Sequence, residues 1–449
     1  DRSSCRPNFA VVAYPGYILA RPGSAVLAEY MRIPKGTGPM FLVHASDDDE
    51  PGAKPEQSLA LYRALRDAGV PAELHIYDEG GHGFGVRKTR RPVSNWSDQC
   101  AEWLKHRGIL TAGVHGNKLA HHDRPPRKVI VGTTMTRWYS DYPGLSGRLE
   151  QMRRLIDQMA AESRLKYGRS IDLALFTEYA ITAGKSGTAA EIAVPLNDTI
   201  IGALASKARE YHTYIVFGGV FLDDPGSAAC SNAAVVIDRQ GRLAGRYVKA
   251  HPVLDRVGPE GQIVLEGGVR PGTAYNVLDL DFGRVGVQIC YDIEYPEGWR
   301  RLAEKGAELV LYPTQSPQLT RPGMYAAAHE YWVVSATFRN NASFFEPGTG
   351  LVAAQITEPK QTLVHEIDLS YIILPWSSRL RNGAAFREAF GDRVGYRYSQ
   401  SEDRGIFWSN DPGRSIGQMA RSLSLLETAT EQQTRARDAQ DRLRGGPAR

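Results

Sequence analysis

Cys290 has the position in this chain that most favours nucleophilic chemistry. In Arg284–Cys290, RVGVQIC, apolar side chains alternate with small or polar ones, which predicts a buried strand. The strand stops at Tyr291 and Asp292, so the thiol lies where the chain turns. A strand end holds a side chain rigidly and leaves it reachable, as a nucleophile requires. The alternative is that Cys290 is a packed, small apolar side chain.

An acid and a base occupy similar positions. Glu178 follows the predicted strand IDLALF with only Thr177 between, and Lys249 ends the predicted strand GRYVK. If these strands are neighbours, a carboxylate, an ammonium group and a thiol converge. A thiol is a weak nucleophile until a base takes its proton, and a cation stabilises both the thiolate and an oxyanion. Taken singly, Glu178 could begin a helix and Lys249 could be a solvated hairpin end.

The elements that carry these residues form a mixed α/β pattern within residues 129–400. The pattern predicts mixed sheets with helices on their outer faces, and two of the strand pairs are hairpins. The predicted strands are Lys128–Thr133, Ile171–Phe176, Tyr214–Val220, Ala233–Ile237, Leu243–Lys249, Tyr275–Leu280, Arg284–Cys290, Glu308–Tyr312 and Trp332–Arg339. The predicted helices are Gly147–Tyr167, Asp198–Tyr211, Glu297–Lys305 and Tyr325–Tyr331.

A separate strand and helix alternation precedes this block, in residues 1–109. It favours parallel strands with helical crossovers. The predicted elements are the strands Phe9–Tyr14, Met40–His44 and Ala72–Tyr77 and the helices Pro55–Ala68 and Ser94–Arg107.

The remaining segments are a predicted linker and a C-terminal extension. Residues 110–128 lose all hydrophobic period and combine Gly, Pro and charge, which is typical of a linker. The adjacent His121 and His122 in it lack a third ligand, so we interpret them as solvated. Residues 401–449 form the predicted extension, which is partly helical. The pattern predicts an amphipathic helix from Ser415, and the almost purely polar residues after Leu426 predict an unstructured end.

Composition excludes several classes of protein. Hydrophobic residues at 42% and charged residues at 23% are typical of a globular chain, and no apolar run reaches the roughly 18 residues that a membrane span needs. The net charge is +4 without a basic stripe, which argues against a nucleic-acid partner. The four cysteines are too few and too far apart for a disulfide framework and form no zinc-binding pair, so we expect a cytoplasmic protein without a metal site.

Three segments resemble the signatures of the nitrilase superfamily. Glu178 lies in LFTE, Lys249 in RYVKAH and Cys290 in CYDIEYPE, and their order and spacing agree with that family. The resemblance covers about residues 129–370. It implies an αββα sandwich that assembles into homodimers or larger homo-oligomers. It also implies a Glu-Lys-Cys triad that hydrolyses non-peptide carbon–nitrogen bonds of small molecules without a metal or cofactor.

The resemblance also implies supporting site residues. Many members carry a second Glu after the lysine, and both Glu260 and Glu266 are candidates, of which we favour Glu260. The backbone N–H of Tyr291 would contribute to an oxyanion hole. The positions that resemble the substrate pocket are Tyr312, Thr314 and Gln315, whereas Arg339, Asn340 and Asn341 resemble a structural strand end. Thr177 and Pro252 depart from the usual Pro and Leu, which leaves the subfamily open.

The first block resembles a different family. FLVHASDD, which ends at Asp48, and GGHGFG around His82 resemble the acid and histidine ends of an α/β-hydrolase of the acetyl-esterase type. In such enzymes a serine in G-x-S-x-G precedes both. The sequence contains no such motif, and its nearest counterpart, Gly184–Gly187, lies in the other block. Residues 1–109 therefore resemble a partial α/β-hydrolase with a vestigial site.

Three functional hypotheses follow. The leading one is hydrolysis of an amide, N-carbamoyl amine or nitrile through a thioester on Cys290, with Glu178 as base and Lys249 as charge stabiliser. The second is a non-catalytic interaction module, which decay of the triad would favour, although the triad is intact. The third is an esterase in the first block, which needs a serine that the sequence lacks.

Overall fold

The computed structural model describes residues 7–86, 91–107, 109, 121–139, 141–224, 226, 228–257, 261–425 and 428–444. The chain divides into two compact units, Asp1–Gly116 and Asn117–Arg449. The division falls among residues 110–120, which are outside the described set.

The first unit is a small parallel sheet with helices. Its elements are β1 (Ala10–Ala13), β2 (Met40–Ala45), α1 (Glu56–Asp67), β3 (Ala72–Tyr77) and α2 (Trp96–His106). The strands pair in parallel in the order β1-β2-β3, which confirms the predicted topology. Separate apolar clusters lie on the α1 and α2 sides of the sheet, around Leu65 and Trp103 respectively. The connection from β1 to β2 contains no helix, unlike the predicted crossover.

The second unit contains the remaining elements. Its strands are β4 (Lys128–Thr134), β5 (Leu173–Leu175), β6 (Tyr214–Leu222), β7 (Cys230–Ile237), β8 (Leu243–Val248), β9 (Leu254–Val257), β10 (Ile263–Leu265), β11 (Val277–Leu280), β12 (Gly283–Val287), β13 (Leu309–Pro313), β14 (Trp332–Ala336), β15 (Asn341–Phe345), β16 (Val352–Thr357), β17 (Thr362–Asp368), β18 (Tyr371–Pro375), β19 (Val394–Ser399) and β20 (Arg404–Ser409). Its helices are α3 (Gly144–Tyr167), α4 (Ala189–Ile192), α5 (Asp198–Tyr211), α6 (Pro296–Glu304), α7 (Thr320–His329), α8 (Ala384–Phe390), α9 (Ile416–Ser422) and α10 (Ala429–Leu443).

Two six-stranded mixed sheets pack face to face in this unit. Their strand orders are β17-β4-β5-β6-β7-β8 and β11-β12-β13-β14-β15-β16. One apolar cluster, which includes Val131 and Leu311, lies between the sheets. A second cluster joins α3 and α5 to the outer face of the first sheet, and a third joins α6 and α7 to the outer face of the second. The layers are therefore helix, sheet, sheet, helix, as the sequence predicts.

Both predicted hairpins are present. Strand β7 pairs antiparallel with β8, and β11 pairs antiparallel with β12. The first turn forms because the Asp238 side chain accepts hydrogen bonds from the backbone N–H groups of Gln240 and Arg242. Gly241 completes it at φ 78°, a conformation that favours glycine. Helix α7 begins five residues before the predicted Tyr325, at Thr320.

The C-terminal residues contain more regular structure than the sequence analysis expected. Strand β20 was not predicted, and it pairs with both β18 and β19, so one small sheet runs across position 400. The polar residues expected to be unstructured form helix α10 up to Leu443. The Thr428 side chain accepts from the backbone N–H of Glu431, and this cap offers a physical reason for the helix.

The described part of the predicted linker belongs to the second unit. His121 lies 3.0 Å from Glu308 through its Nδ1 atom, so it contacts this carboxylate and is not simply solvated. Arg127 contacts the same carboxylate at 2.6 Å. Burial alone would raise the pKa of Glu308, but hydrogen bonds from His121 and Arg127 lower it to about 2.

No helix within the described residues is long and apolar enough to cross a membrane.

Candidate active site

Glu178 and Lys249 form a buried ion pair. Glu178 follows β5 and Lys249 follows β8, and the distance from Glu178 Oε1 to Lys249 Nζ is 2.9 Å. Their exposed fractions are 0% and 1%. The backbone of β6 passes close beneath the acid, where a Cβ on Gly218 would lie 2.9 Å from Glu178 Cα. Glycine is therefore required at this position of β6.

A second carboxylate holds the same ammonium group. Glu266, which follows β10, lies 2.7 Å from Lys249 Nζ through its Oε2 atom. Asn232 on β7 donates to Glu178 Oε1 at 2.7 Å and to Glu266 Oε1 at 2.6 Å. The Tyr179 hydroxyl also donates to Glu266. Glu260, which the sequence analysis favoured as the second acid, lies outside the described residues, and Glu266 is the candidate that contacts the lysine.

The electrostatics of this cluster are dominated by burial and by charge. Burial raises the pKa of Glu178, Glu266 adds to the increase, and Lys249 partly opposes it. Burial alone would lower the pKa of Lys249, but the charges of Glu178, Cys290 and Glu266 outweigh it, so the pKa is raised. Lys249 is therefore a stable cation. Among the described side chains, Glu178 Oε2 is a buried oxygen without a hydrogen-bond partner.

Cys290 begins a short 3-10 turn, Cys290–Glu294, at the carboxyl end of β12. Its φ is 43°, a left-handed conformation that is strained for a residue with a side chain. The Tyr312 hydroxyl donates to the Cys290 carbonyl oxygen at 3.0 Å and so supports this turn. The turn holds the thiol beside the ion pair, since the charges of Glu178 and Lys249 both act on it.

The Cys290 thiol is protonated at rest. Burial raises its pKa to about 12, and the negative charge of Glu178 contributes to the increase. The Lys249 ammonium group, the Gln315 backbone N–H and the Thr314 side chain oppose it. A thiol with this pKa needs a base at the moment of attack.

Asp292 connects the segments that carry the lysine and the cysteine. Its buried carboxylate accepts from the backbone N–H of Ile289 at 3.0 Å and from the Tyr247 hydroxyl at 2.8 Å. The backbone N–H of His251 donates to it at 2.8 Å. Asp292 is part of the cysteine signature CYDIEYPE, but its sequence position alone predicts no role for it.

The predicted pocket residues have different surroundings. Tyr312 and Thr314 are fully buried. The Gln315 side chain accepts a hydrogen bond from the Tyr139 hydroxyl at 3.1 Å. Tyr291 is partly buried and packs edge-on against Tyr295. Burial and the charges of Glu178 and Cys290 raise the pKa of Tyr139, which places this residue beside the acid and the thiol. Tyr139 was not predicted as a site residue, because its only sequence signal is its position after the buried strand β4.

The first unit brings its own predicted pair together. His82 Nδ1 lies 2.9 Å from the buried Asp48 Oδ2, and the His82 side chain is 39% exposed. His44 also contacts Asp48 at 3.2 Å, while its other ring nitrogen lies 2.7 Å from the Ser58 hydroxyl. Ser58 is fully buried against His44, so it does not serve as a nucleophile beside His82.

The described residues contain no group of three or more His, Cys, Asp or Glu side chains that could hold a metal ion.

Comparison with characterised proteins shows partial relatives. Citrullinase of Francisella tularensis is 40% identical over 105 residues, which cover 23% of this chain and 35% of that protein. An omega-amidase of Saccharomyces cerevisiae is 29% identical over 125 residues, which cover 28% of this chain and 43% of that protein. The chain thus spans well under two thirds of these relatives. The crystal structure of Saccharomyces cerevisiae Nit3, of the nitrilase superfamily, has a TM-score of 0.45 and 17% identity, covering 59% of this chain and 94% of that chain.

Two family models match the two blocks. The prolyl oligopeptidase family model, which belongs to the α/β-hydrolases, matches residues 24–108 and confirms the resemblance of the first block. The carbon-nitrogen hydrolase model matches residues 139–380, and this match confirms the resemblance to the nitrilase superfamily. Because the second match includes more than half of the residues, this chain belongs to the carbon-nitrogen hydrolase family.

Proposed function

We propose that the second unit hydrolyses a non-peptide carbon–nitrogen bond of a small amide, N-carbamoyl amine or nitrile through a thioester on Cys290. The observation that carries the proposal is the buried contact of 2.9 Å between Glu178 and Lys249 beside the cysteine. A buried acid, a fixed cation and a thiol are the groups that acyl transfer needs.

Glu178 acts as the general base in this proposal. Its Oε1 atom is occupied by Lys249 and Asn232, whereas Oε2 has no partner among the described side chains. Because the pKa of the thiol is raised to about 12, Glu178 takes the proton as sulfur attacks the substrate carbon, not before. The raised pKa of Glu178 favours this transfer.

Lys249 and the backbone N–H of Tyr291 stabilise the negative charge that develops on the substrate oxygen. Two carboxylates fix the ammonium group in advance, so little reorganisation is needed when the charge forms. The tetrahedral intermediate then collapses, and the leaving nitrogen receives the proton from Glu178. Ammonia or an amine departs, and the acyl group remains on Cys290.

Water completes the cycle. Glu178 takes a proton from the water molecule, the thioester carbon is attacked, and the thiol leaves with its proton restored. Glu266 acts as a positioning residue for Lys249 in this scheme, because its Oε2 atom lies 2.7 Å from Nζ. A nitrile would react through a thioimidate instead of a tetrahedral oxyanion.

Ammonia release from a panel of amides, N-carbamoyl amines and nitriles tests the proposal. We expect Cys290→Ala and Lys249→Ala each to lower kcat by about 10³-fold or more, because the triad acts as a unit. Circular dichroism should show that both variants fold. Cys100→Ala is the matched control, since Cys100 is a buried cysteine in the first unit. Activity of Cys290→Ala within tenfold of the wild type would refute the assignment.

We also propose that the protein is at least a homodimer, as the family resemblance implies. Light scattering at micromolar concentration should give a mass of two chains or more. A mass of 49.5 kDa, equal to one chain, would contradict it.

A further inference from the structure

We propose that Arg148 is a positioning residue for the general base Glu178. This inference rests on the proposed function and adds to it a buried cation outside the triad. Arg148 lies near the start of α3, and its side chain is fully buried. Its hydrogen bonds go to backbone carbonyl groups and not to the triad. It therefore acts on the site through the two chain segments that it holds.

Two backbone carbonyl oxygens accept hydrogen bonds from Arg148. Its Nη2 atom donates to the Ala183 carbonyl oxygen at 2.8 Å and to the Asp141 carbonyl oxygen at 3.2 Å. Asp141 lies in the chain that follows β4, and Ala183 lies in the chain that follows β5. Strands β4 and β5 are parallel neighbours, so both segments leave the same edge of their sheet. The guanidinium group therefore links these segments.

The two linked segments are in direct contact. Gly184 has a φ of 89°, and a Cβ there would lie 2.8 Å from the Asp141 carbonyl oxygen and 3.0 Å from the Trp138 carbonyl oxygen. Only glycine allows this approach. The Arg148 guanidinium carbon lies 4.2 Å from the centroid of the Trp138 ring, an attraction that burial strengthens. Arg148 therefore fixes the separation of the segments by hydrogen bonds to both and by packing on one.

The segment that Arg148 holds at Ala183 begins with the acid. The chain from Glu178 to Ala183 forms consecutive turns. Tyr179, next to the acid, has a φ of 58°, a left-handed conformation that persists only where the surrounding structure supports it. The backbone N–H of Ile181 donates to a carbonyl oxygen of β6 at 3.0 Å, which holds the middle of the segment. Arg148 holds its end, so the turn that presents Glu178 is fixed at both places.

The other linked segment borders the reacting groups as well. Tyr139 follows Trp138 directly, and burial together with the charges of Glu178 and Cys290 raises the pKa of Tyr139. These charges act on Tyr139 because it lies close to the acid and the thiol. A shift of either segment would therefore reach the groups around the thiol. Misplacement of a catalytic group by about 1 Å can cost about 100-fold in rate.

The buried charge of Arg148 is only partly paired. Burial lowers the pKa of Arg148 to about 10, and Tyr142 and Asp141 oppose the decrease, so the guanidinium group is still charged near neutral pH. Its Nε and Nη1 atoms are buried and make no hydrogen bond within the described residues. An apolar side chain in place of a buried charge is often neutral or stabilising, so fold stability alone does not account for this cation. Its contacts with the two segments do.

Two substitutions of Arg148 test the proposal by ammonia release. Arg148→Met keeps the length of the side chain and removes its donors, and we expect kcat/KM to fall about 10-fold to 100-fold, through kcat and not KM. Arg148→Lys keeps the charge and a donor but not the planar stacking, so the loss should be only about threefold to tenfold. Arg154→Met is the matched control, because Arg154 is an exposed residue of the same helix. Circular dichroism shows whether each variant folds.

Alkylation of Cys290 by N-ethylmaleimide gives a test that does not depend on turnover. The charge of Glu178 raises the pKa of the thiol, so displacement of this acid should speed alkylation at pH 8. We expect an increase of about threefold or more in Arg148→Met, equal to roughly half a pKa unit, and none in Arg154→Met. When Glu178→Gln is already present, Arg148→Met should add no further increase, because the two changes act through the same carboxylate.

The outcomes separate positioning from a general structural role. Wild-type kcat in folded Arg148→Met overturns the proposal, and so does a rise in alkylation that is equal with and without Glu178, since that rise reports wider access to the thiol. If Arg148→Met does not fold, Arg148→Lys decides, and wild-type kcat in that variant overturns the proposal. If the wild type releases no ammonia from any compound but the rise in alkylation depends on Glu178, the positioning role stands and the hydrolase proposal fails.

Discussion

The Asp292 carboxylate accepts a hydrogen bond from the backbone N–H of His251 at 2.8 Å, although these residues are 41 positions apart. His251 follows Lys249 by two residues, and Asp292 follows Cys290 by two. This hydrogen bond therefore links the segment that carries Lys249 to the segment that carries Cys290, two residues beyond each of these side chains, which we propose to be catalytic. Tyr247 and Ile289 also donate to this carboxylate, which leaves its geometry little freedom.

We predict that Asp292→Asn lowers both activity and stability. In the asparagine, an NH₂ group replaces one of the two acceptor oxygens. This NH₂ group faces N–H or O–H donors, which then lack an acceptor. Leaving such buried donors unpaired costs about 1 to 3 kcal/mol. We expect kcat/KM for ammonia release to fall about 10²-fold and the thermal midpoint to fall as well. Asp279→Asn is the control, since Asp279 is an exposed residue paired with Arg284. Wild-type kinetics in Asp292→Asn would show that this junction does not position the site.

A second prediction concerns the reactivity of Cys290 without substrate. Because its pKa is raised from 9.0 to about 12, alkylation by N-ethylmaleimide should be far slower at pH 8 than that of a free thiol. The rate should still rise steeply with pH above pH 9, because the thiolate fraction grows until the pKa is passed. Mass spectrometry of the peptide that contains Cys290 measures the alkylation rate.

Two variants should change the alkylation rate of Cys290 in opposite directions. Glu178→Gln removes a charge that raises the thiol pKa, so alkylation at a given pH should be faster. Lys249→Met removes a charge that lowers it, so alkylation should be slower. A wild-type rate that is already constant with pH below pH 8 would mean that the thiolate is present at rest.

The third prediction concerns acid stability and Glu308. The pKa of Glu308 is lowered from 4.5 to about 2 in the folded protein. At a pH above 4.5, its carboxylate therefore stabilises the fold by about 3 kcal/mol. That stabilisation is lost as pH falls through the folded pKa. The difference in urea midpoint between wild type and Glu308→Gln should therefore shrink from about pH 5 to pH 2. Glu304→Gln, an exposed substitution, is the control, and a difference independent of pH would contradict the assignment.

The fourth prediction is that residues 1–109 supply no esterase activity. The Asp48 and His82 pair is formed at 2.9 Å, but a serine hydrolase loses most of its rate without its nucleophile. Hydrolysis of a short-chain nitrophenyl ester should be the same in the wild type and in His82→Ala. Activity that disappears in His82→Ala and persists in Cys290→Ala would show that another residue completes that site.

Particular elements show how far sequence patterns reach. The strands that precede Glu178, Lys249 and Cys290 were predicted because a buried strand has a local pattern of hydrophobic residues. The turns between strands were predicted because turns are rich in Gly and Asp. Strand β20 and helix α10 were missed. Most of β20 is buried against β18 and β19, but RGIFWS does not alternate. The α10 residues are almost wholly polar, so their helix depends on capping and carries no apolar stripe.

By itself the sequence determined the family, the layer order and the three residues proposed to act on the substrate, because their signatures are short and local. Only the tertiary structure decided that Glu266 contacts Lys249, and that Asn232, Asp292 and Tyr139 surround the site. Asn232 contacts Glu178 across strand ends of one sheet, and Glu266 reaches Lys249 from the end of β10. Asp292 and Tyr139 make their contacts between strand ends of the two six-stranded sheets, which meet only after the sheets pack. Sequence spacing carries no information about such distances, so only the tertiary fold determines the geometry of the site.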